Sequence, residues 1–202
     1  AGMDNLRQHA DNLGKYGLPV VVAINKFDAD TAAEVAAVLE GCEAAGIKAV
    51  QANHWANGGE GARELAQAVV EELDAGKSNF KVLYPDDMPL WDKIKTIAQS
   101  IYRADDISAD QRVIDRIAEL QDGGYGHFPV CMAKTQYSFS HDPSLKNAPS
   151  GFTLPIREIR LSGGAEFIVV ISGDIMTMPG LPSVPAANAI HIDADGNVAG
   201  LF

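Results

Sequence analysis

The first 76 residues alternate between helical and strand spacing of their apolar positions. Leu6, Ala10 and Leu13 recur at the intervals of one helix face, and an uninterrupted apolar run rich in Val and Ile follows at 19–24. A run that is apolar at every position is typical of a strand covered on both faces. The segments predicted next are a helix over 31–45, a strand over 47–51 and a helix over 60–74. We therefore predict an α/β fold that opens with a doubly wound βαβ layer.

The pattern changes after this layer. Residues 77–87 are rich in turn-forming side chains and predict a linker with at most one short strand, 80–83. The segments predicted after it are helices over 89–103 and 109–121, strands from 128, over 153–161 and over 166–171, and a terminal hairpin over 189–201. We predict two units: a Rossmann-like α/β layer in residues 1–78 and a smaller α+β C-terminal domain in 79–202.

Composition narrows the range of partners. The chain has 202 residues, 47% of them hydrophobic, and a net charge of −11 with a pI of about 4.7. Phosphate contacts need clusters of Lys and Arg, which are not found here, so we expect neither nucleic acid nor a membrane surface as a partner. No apolar run reaches the length of a membrane span and no signal peptide is recognisable, so a cytoplasmic location is expected. Cys42 and Cys131 belong to no metal or redox motif, and we expect two buried thiols.

Residues 25–28, Asn-Lys-Phe-Asp, follow the first strand directly. Ligands of open parallel sheets bind where strands end, so this loop is the first candidate site. Asn-Lys-x-Asp is also the motif with which many GTPases recognise guanine. However, the phosphate loop Gly-x-x-x-x-Gly-Lys-Ser/Thr, whose amides bind the phosphates, does not occur in this chain. A guanine-nucleotide module and a plain polar turn remain alternatives.

The glycine-rich loop at 53–61 leaves the second strand of the same layer and contains Trp55. Parallel strands end at one edge, so Trp55 and Phe27 are expected near each other. Two aromatic rings at one edge can stack against a flat heterocycle such as a pterin or an adenine. The alternatives are that Trp55 packs on its own domain, and that the chain is a non-catalytic assembly domain.

Two other polar segments are weaker candidates. Residues 133–140 follow an apolar strand and include Lys134, so they could line an anion site or form an ordinary polar loop. Residues 173–182, a run containing Pro179 and Pro182, are interpreted as a rigid connection. The five histidines are dispersed and form no recognisable catalytic order with Ser, Cys or Asp.

Five blocks in order resemble formate–tetrahydrofolate ligases. They are residues 18–27 (LPVVVAINKF), 55–61 (WANGGEG), 129–136 (PVCMAKTQ), 173–182 (GDIMTMPGLP) and 200–202 (GLF). The resemblance spans essentially the whole chain and implies the C-terminal third or more of such an enzyme. It implies an ATP-dependent ligase that makes formyltetrahydrofolate from formate through formyl phosphate, with Mg²⁺ and a monovalent cation, K⁺ or NH₄⁺, as activator.

The resemblance also implies roles for individual residues. Phe27 and Trp55 would stack on the folate, with Asp28 where the loop meets it, and Gln51 would form a pocket wall at a position that is often apolar in the family. Ala148 and Ser150, in the turn 148–151, would approach the nucleotide. The family's own N-terminal phosphate-loop domain would supply the phosphate site, and the complete enzyme would be a homo-tetramer. The fragment alone is therefore expected to be inactive.

Overall fold

The computed structural model describes residues 2–134, 139–175 and 184–200. Parts of the candidate runs 133–140 and 173–182, and the terminal Leu201 and Phe202, lie outside this description. The described chain mixes helices with parallel and mixed β-sheets, which confirms the predicted α/β content. None of the helices in these ranges is both long and apolar enough to cross a membrane.

The N-terminal elements follow the predicted order. They are α1 (Met3–Gly14), β1 (Val21–Asn25), α2 (Ala32–Ala44), β2 (Lys48–Ala52), α3 (His54–Asn57), a 3₁₀ turn (Gly58–Ala62) and α4 (Arg63–Asp74). β1 and β2 pair in parallel. α2 begins at a capping box, in which the Thr31 hydroxyl accepts from the Glu34 N–H and the Glu34 carboxylate accepts from the Thr31 N–H. The segment predicted as a loop at 53–61 is instead a single α-turn followed by 3₁₀ structure.

The C-terminal elements include a four-stranded mixed sheet. They are α5 (Leu90–Ser100), β3 (Asp106–Ala109), α6 (Gln111–Leu120), β4 (Val130–Ala133), β5 (Thr153–Ser162), β6 (Phe167–Ser172) and the predicted terminal hairpin β7 (His191–Ile192) and β8 (Val198–Ala199). The strand order is β3-β5-β6-β4. The central strands β5 and β6 are antiparallel, and each outer strand runs parallel to its neighbour.

The main hydrophobic core lies between this sheet and the helices α5 and α6. Its buried members are Leu90, Ile94, Ala98, Ala104, Ile107, Val113, Ile117, Leu120, Phe128, Phe152, Leu154, Ile156, Ile159, Ile168 and Val170. They come from the apolar stripe of each helix and from the inward positions of the strands, which is the expected arrangement for amphipathic elements.

The structure differs from the sequence prediction at β3 and at Cys131, and it decides whether a strand forms at 80–83. β3 was not predicted, because four residues with two polar members give little strand signal. No strand forms at 80–83; the Lys81 amide donates instead to the Tyr16 carbonyl. Cys42 is buried as expected but Cys131 is exposed, because β4 is an edge strand and Cys131 points away from the neighbours Val130 and Met132.

Lys93 is fully buried in α5. Its ammonium donates to the carbonyl oxygens of Asp86 (2.7 Å), Gly126 (2.8 Å) and Phe128 (3.1 Å), which uses all three of its N–H groups. Burial lowers the pKa of Lys93, and the nearby carboxylates of Asp86 and Asp87 oppose that shift. The side chain thus ties α5 to the segment before it and to the loop before β4.

We expect Lys93→Met to lower the free energy of unfolding by about 3 kcal/mol, because three carbonyl groups lose their donor in a buried site. The matched control is Lys95→Met, in the same helix, which removes only a partly exposed ion pair with Asp106 (2.9 Å). That change should cost less than about 1 kcal/mol. Urea unfolding of both variants measures the difference; equal midpoints would contradict the assigned role of Lys93.

Candidate functional site

The parallel pairing of β1 with β2 brings two loops to one edge of the sheet. Asn25 lies opposite Ala52 at the carboxyl ends of the strands. The Lys26 amide donates to the Ala52 carbonyl (3.1 Å), so the chains remain paired as they leave the sheet. Phe27 follows the first strand by two residues and Trp55 follows the second by three. Both predicted aromatic residues therefore leave the same edge.

The loop that carries Phe27 is short and closed by its own hydrogen bonds. The Asp30 carboxylate accepts from the Phe27 N–H (2.8 Å), and the Phe27 carbonyl accepts from the Asp30 N–H (3.0 Å). Asp side chains commonly close turns in this way. Thr31 and Glu34 cap α2 immediately afterwards, and the hydrogen bonds from Thr31 lower the pKa of the Glu34 carboxyl. The Phe27 ring is 52% exposed on this fixed turn.

Trp55 sits on the single turn of α3 and is 71% exposed. The Asn53 amide donates to the Gly61 carbonyl (2.8 Å), and the Asn57 amide donates to the Asn53 carbonyl (3.0 Å), so the loop closes on itself. A Cβ at Gly61 would overlap the Asn53 carbonyl group and lie 2.7 Å from the His54 nitrogen. Only glycine permits this close approach of two backbone segments.

The other two residues predicted for the folate site differ in exposure. Asp28 is exposed beside Phe27. Gln51 is half-buried at the end of β2, and its Nε2 donates to the Asn53 Oδ1 (2.8 Å). This bond links the strand to the start of the Trp55 loop. Asp30, Asn53 and Gly61 were not singled out from the sequence, although Asp, Asn and Gly are the residue types that shape turns.

A groove with a volume of about 1060 Å³ begins at the Trp55 loop and runs along β2 and α4. Gln51, Asn53 and Gly61 line one end of it. At the other end Lys48 donates to Glu71 (2.8 Å) and contacts Glu72 (3.3 Å). The hydrogen bond with Glu71 raises the pKa of Lys48 and lowers the pKa of Glu71. Phe27 and Trp55 do not line this groove.

The two residues predicted to approach the nucleotide lie in the turn before β5. Ala148 is half-buried and Ser150 is exposed. The guanidinium of Arg103 donates to the Ala148 carbonyl (2.8 Å). Among the hydrogen bonds and ring contacts described for the chain, none joins this turn directly to Phe27 or Trp55.

The polar segment after β4 contributes one unusual cation. Lys134 is half-buried, and burial lowers its pKa to about 8. Its ammonium lies 5.1 Å from the centroid of the Tyr102 ring, within the range of a cation–π interaction. Burial and the charge of Lys134 lower the pKa of His9, whose ring packs on Phe139 with centroids 4.7 Å apart.

Comparison with known proteins identifies the family of this chain. The sequence model of the family described as "Formate--tetrahydrofolate ligase" matches residues 1–202. Proteins named formate–tetrahydrofolate ligase from Granulibacter bethesdensis, Maricaulis maris and Pelagibacter ubique are 57%, 59% and 56% identical to the chain, each over all of it. The chain belongs to the formate–tetrahydrofolate ligase family. It spans only 35–36% of the length of these relatives, so it corresponds to a segment of such a ligase.

The family match bears on two earlier expectations. It does not support the hypothesis of a guanine-nucleotide module, since the motif at 25–28 falls within the ligase match. Within residues 2–134, 139–175 and 184–200, no group of three His, Cys, Asp or Glu side chains is placed to hold a metal ion. Mg²⁺ that binds together with a nucleotide takes most of its ligands from phosphates and water and needs no such group.

We expect Gly61→Ala to displace the Trp55 loop, because the added Cβ would collide with the Asn53 backbone. Amide exchange at Asn53 should accelerate at least about tenfold, which corresponds to losing roughly 1.4 kcal/mol from its bond to Gly61. Gly59→Ala is the matched control, because its Cβ would meet nothing within 4 Å. Hydrogen–deuterium exchange followed by mass spectrometry measures both variants; similar exchange in the two would contradict the close approach.

Proposed function

We propose that this chain supplies the folate-stacking side of the active site of an ATP-dependent formate–tetrahydrofolate ligase. One observation carries the proposal: two exposed aromatic side chains, Phe27 and Trp55, leave the same edge of a parallel sheet on loops that are fixed by backbone hydrogen bonds. Membership of the ligase family supports tetrahydrofolate as the flat molecule that these rings bind.

Both aromatic side chains are exposed and stand on rigid loops. Large aromatic rings left in water forgo the free energy of burial, so rings that are 52% and 71% exposed on closed loops favour a partner. A pterin offers two flat faces and can take one ring on each. Fixed loops lose little conformational entropy when the ligand binds. Stacking between Phe27 and Trp55 would thus hold the folate with its reactive amine at the sheet edge.

The neighbouring polar residues would complete this side of the pocket. Asp28 offers a carboxylate, an acceptor for N–H groups of the pterin. Gln51 would act as a wall, because its amide already donates to Asn53. The reaction implied by the family has two steps. A formate oxygen attacks the terminal phosphorus of ATP and ADP leaves. The folate amine then attacks the carbonyl carbon of formyl phosphate, the C–O bond to phosphate breaks, and the proton lost by the amine leaves with the phosphate.

We place the nucleotide beside Ala148 and Ser150, with the phosphates, Mg²⁺ and the activating K⁺ or NH₄⁺ bound outside this chain. The part of the enzyme that includes its N-terminal phosphate-loop domain would supply those sites. The exposed apolar side chains of α4, which include Val69, Val70 and Leu73, support docking of the remaining enzyme on this surface. A cytoplasmic homo-tetramer is the assembly that the family implies.

The two-stranded sheet of β1 and β2 supports a division of the chain into two units. A sheet of only two parallel strands is unusual, because parallel strands are ordinarily covered on both faces within larger sheets. We propose that residues 1–78 belong to a doubly wound layer that is completed by upstream parts of the enzyme. Residues 79–202 would form the C-terminal α+β domain.

In the full-length ligase, we expect Trp55→Ala to raise the KM for tetrahydrofolate roughly tenfold, with kcat near that of the parent. The reason is that stacking holds the folate equally in the ground and transition states. Phe27→Ala should act in the same direction, and Trp55→Phe should cost about threefold. Steady-state kinetics with varied tetrahydrofolate and saturating ATP and formate measures these effects.

Phe80→Ala is the control for that experiment, because Phe80 is a 64% exposed aromatic outside both loops. Its KM for tetrahydrofolate should equal that of the parent. If Trp55→Ala and Phe27→Ala also leave this KM unchanged, the stacking assignment is wrong.

The isolated 202-residue chain should form no formyltetrahydrofolate when supplied with ATP, Mg²⁺, formate and tetrahydrofolate. The reason is that it contains no phosphate-loop motif to bind the triphosphate. Product formation is followed by absorbance after acid conversion, with the full-length ligase as positive control. Turnover by the isolated chain would refute the division of labour proposed here.

A further inference from the structure

The first turn of α1 is capped by a residue 142 positions away. The local N-cap residue is Gly2, which has no side chain to offer, so the N-terminal amides of the helix need another acceptor. The Asn147 Oδ1 accepts from the Asn5 N–H (2.9 Å). Asn5 is the third residue of the helix, the position whose amide an N-cap side chain ordinarily binds. Asn147 therefore caps α1 from outside the helix.

Two further bonds make this contact reciprocal. The Asn5 side-chain amide donates to the Asn147 carbonyl (2.8 Å), and the Asn147 amide donates to the Asp4 carboxylate (3.0 Å). The carboxyamide of Asn147 thus donates at one end and accepts at the other, a combination that no other common side chain of its length offers.

The backbone at this point is also specialised. Asn147 has a φ of +68°, the left-handed region that Asn tolerates better than most residues. Arg103, whose guanidinium holds the next carbonyl at Ala148, has a φ of +65°. Each of these two positive-φ conformations costs free energy and persists only because the surrounding contacts fix it. Strained backbone of this kind is common at functional sites. The turn at 147–150 is thus held in place from two sides.

α1 connects this turn to the rest of the molecule. The Asn12 side chain donates to the Ile101 carbonyl (2.9 Å), and the Met3 side chain packs against Gly41 in α2. α2 in turn begins just after the Phe27 loop. α1 thus links the Ala148 turn to the C-terminal part of α2, the helix that follows the Phe27 loop.

We propose that Asn147 is a positioning residue, which fixes the turn at 148–150 against α1 so that the nucleotide lies at the correct distance from the folate loops. The proposal rests on the nucleotide assignment of Ala148 and Ser150 made above. Asn147 itself touches neither substrate. Its action is confined to three hydrogen bonds and to the left-handed backbone before the turn.

The test uses the full-length ligase with Asn147→Gly, which keeps the left-handed backbone and removes the side chain. We expect the KM for ATP to rise roughly fivefold, the factor that corresponds to one lost cap, with the KM for tetrahydrofolate unchanged. Glu166→Gly is the matched control, because Glu166 is exposed and also has a positive φ of 56° in a distant turn. An ATP KM equal to that of the parent in Asn147→Gly would overturn the proposal.

A rescue experiment tests whether the contact between Asn147 and Asp4 carries the effect. Asn147→Asp keeps the acceptor for Asn5 but places a carboxylate against Asp4, so the KM for ATP should rise. Adding Asp4→Asn restores a donor to that carboxylate and should return the KM to within about twofold of the parent. A double variant no better than the single one would overturn the proposal.

Ser150→Glu distinguishes failure of this proposal from failure of the nucleotide assignment. An added negative charge beside ATP should raise its KM, whatever Asn147 does. If Ser150→Glu raises the KM and Asn147→Gly does not, Asn147 is only a helix cap and the assignment stands. If neither variant raises it, the nucleotide assignment and the positioning role are both wrong.

Discussion

The parallel pairing of β1 with β2 is the constraint on which the candidate site depends. Parallel strands end at the same edge, so the Phe27 and Trp55 loops must leave the sheet together. Antiparallel pairing would put the two rings at opposite ends of the sheet. Each loop is then closed by a polar residue of its own, Asp30 in one and Asn53 in the other, so the exposed rings stand on fixed supports.

The C-terminal part of the chain is organised by a different interaction. The buried ammonium of Lys93 satisfies three carbonyl groups where α5, its preceding segment and the approach to β4 meet. The apolar core then packs between the helices and the mixed sheet. α1 contacts both the N-terminal and the C-terminal parts of the chain. Met3 packs on α2, and the side chains of Asn5 and Asn12 donate hydrogen bonds to carbonyl groups of the C-terminal part. A single helix therefore relates two differently built regions.

Local signals were readable from the sequence and remote ones were not. Thr31 caps α2 within four residues, and the capping box predicted its start; Asp110 caps α6 equally locally. α1 and α5 instead receive their caps from Asn147 and Gln121, which no window of sequence could reveal. The placement of Phe27 and Trp55 at one sheet edge was predictable, because it follows from the spacing of apolar residues and from the parallel pairing of the two strands. β3 was missed because its place in the sheet comes from pairing with β5, not from its own pattern.

The long-range cap on α1 has a consequence for synthesis of the chain. The side chain that completes the first turn of this helix is synthesised 142 residues after Asn5. Until then its exposed amides are satisfied only by water, and the helix is a marginal structure of 12 residues. α1 thus becomes fixed only after β1 to β4 have been synthesised, while the central strands β5 and β6 are still to come. Its docking joins residues far apart in the sequence, and non-local contacts of this kind slow folding.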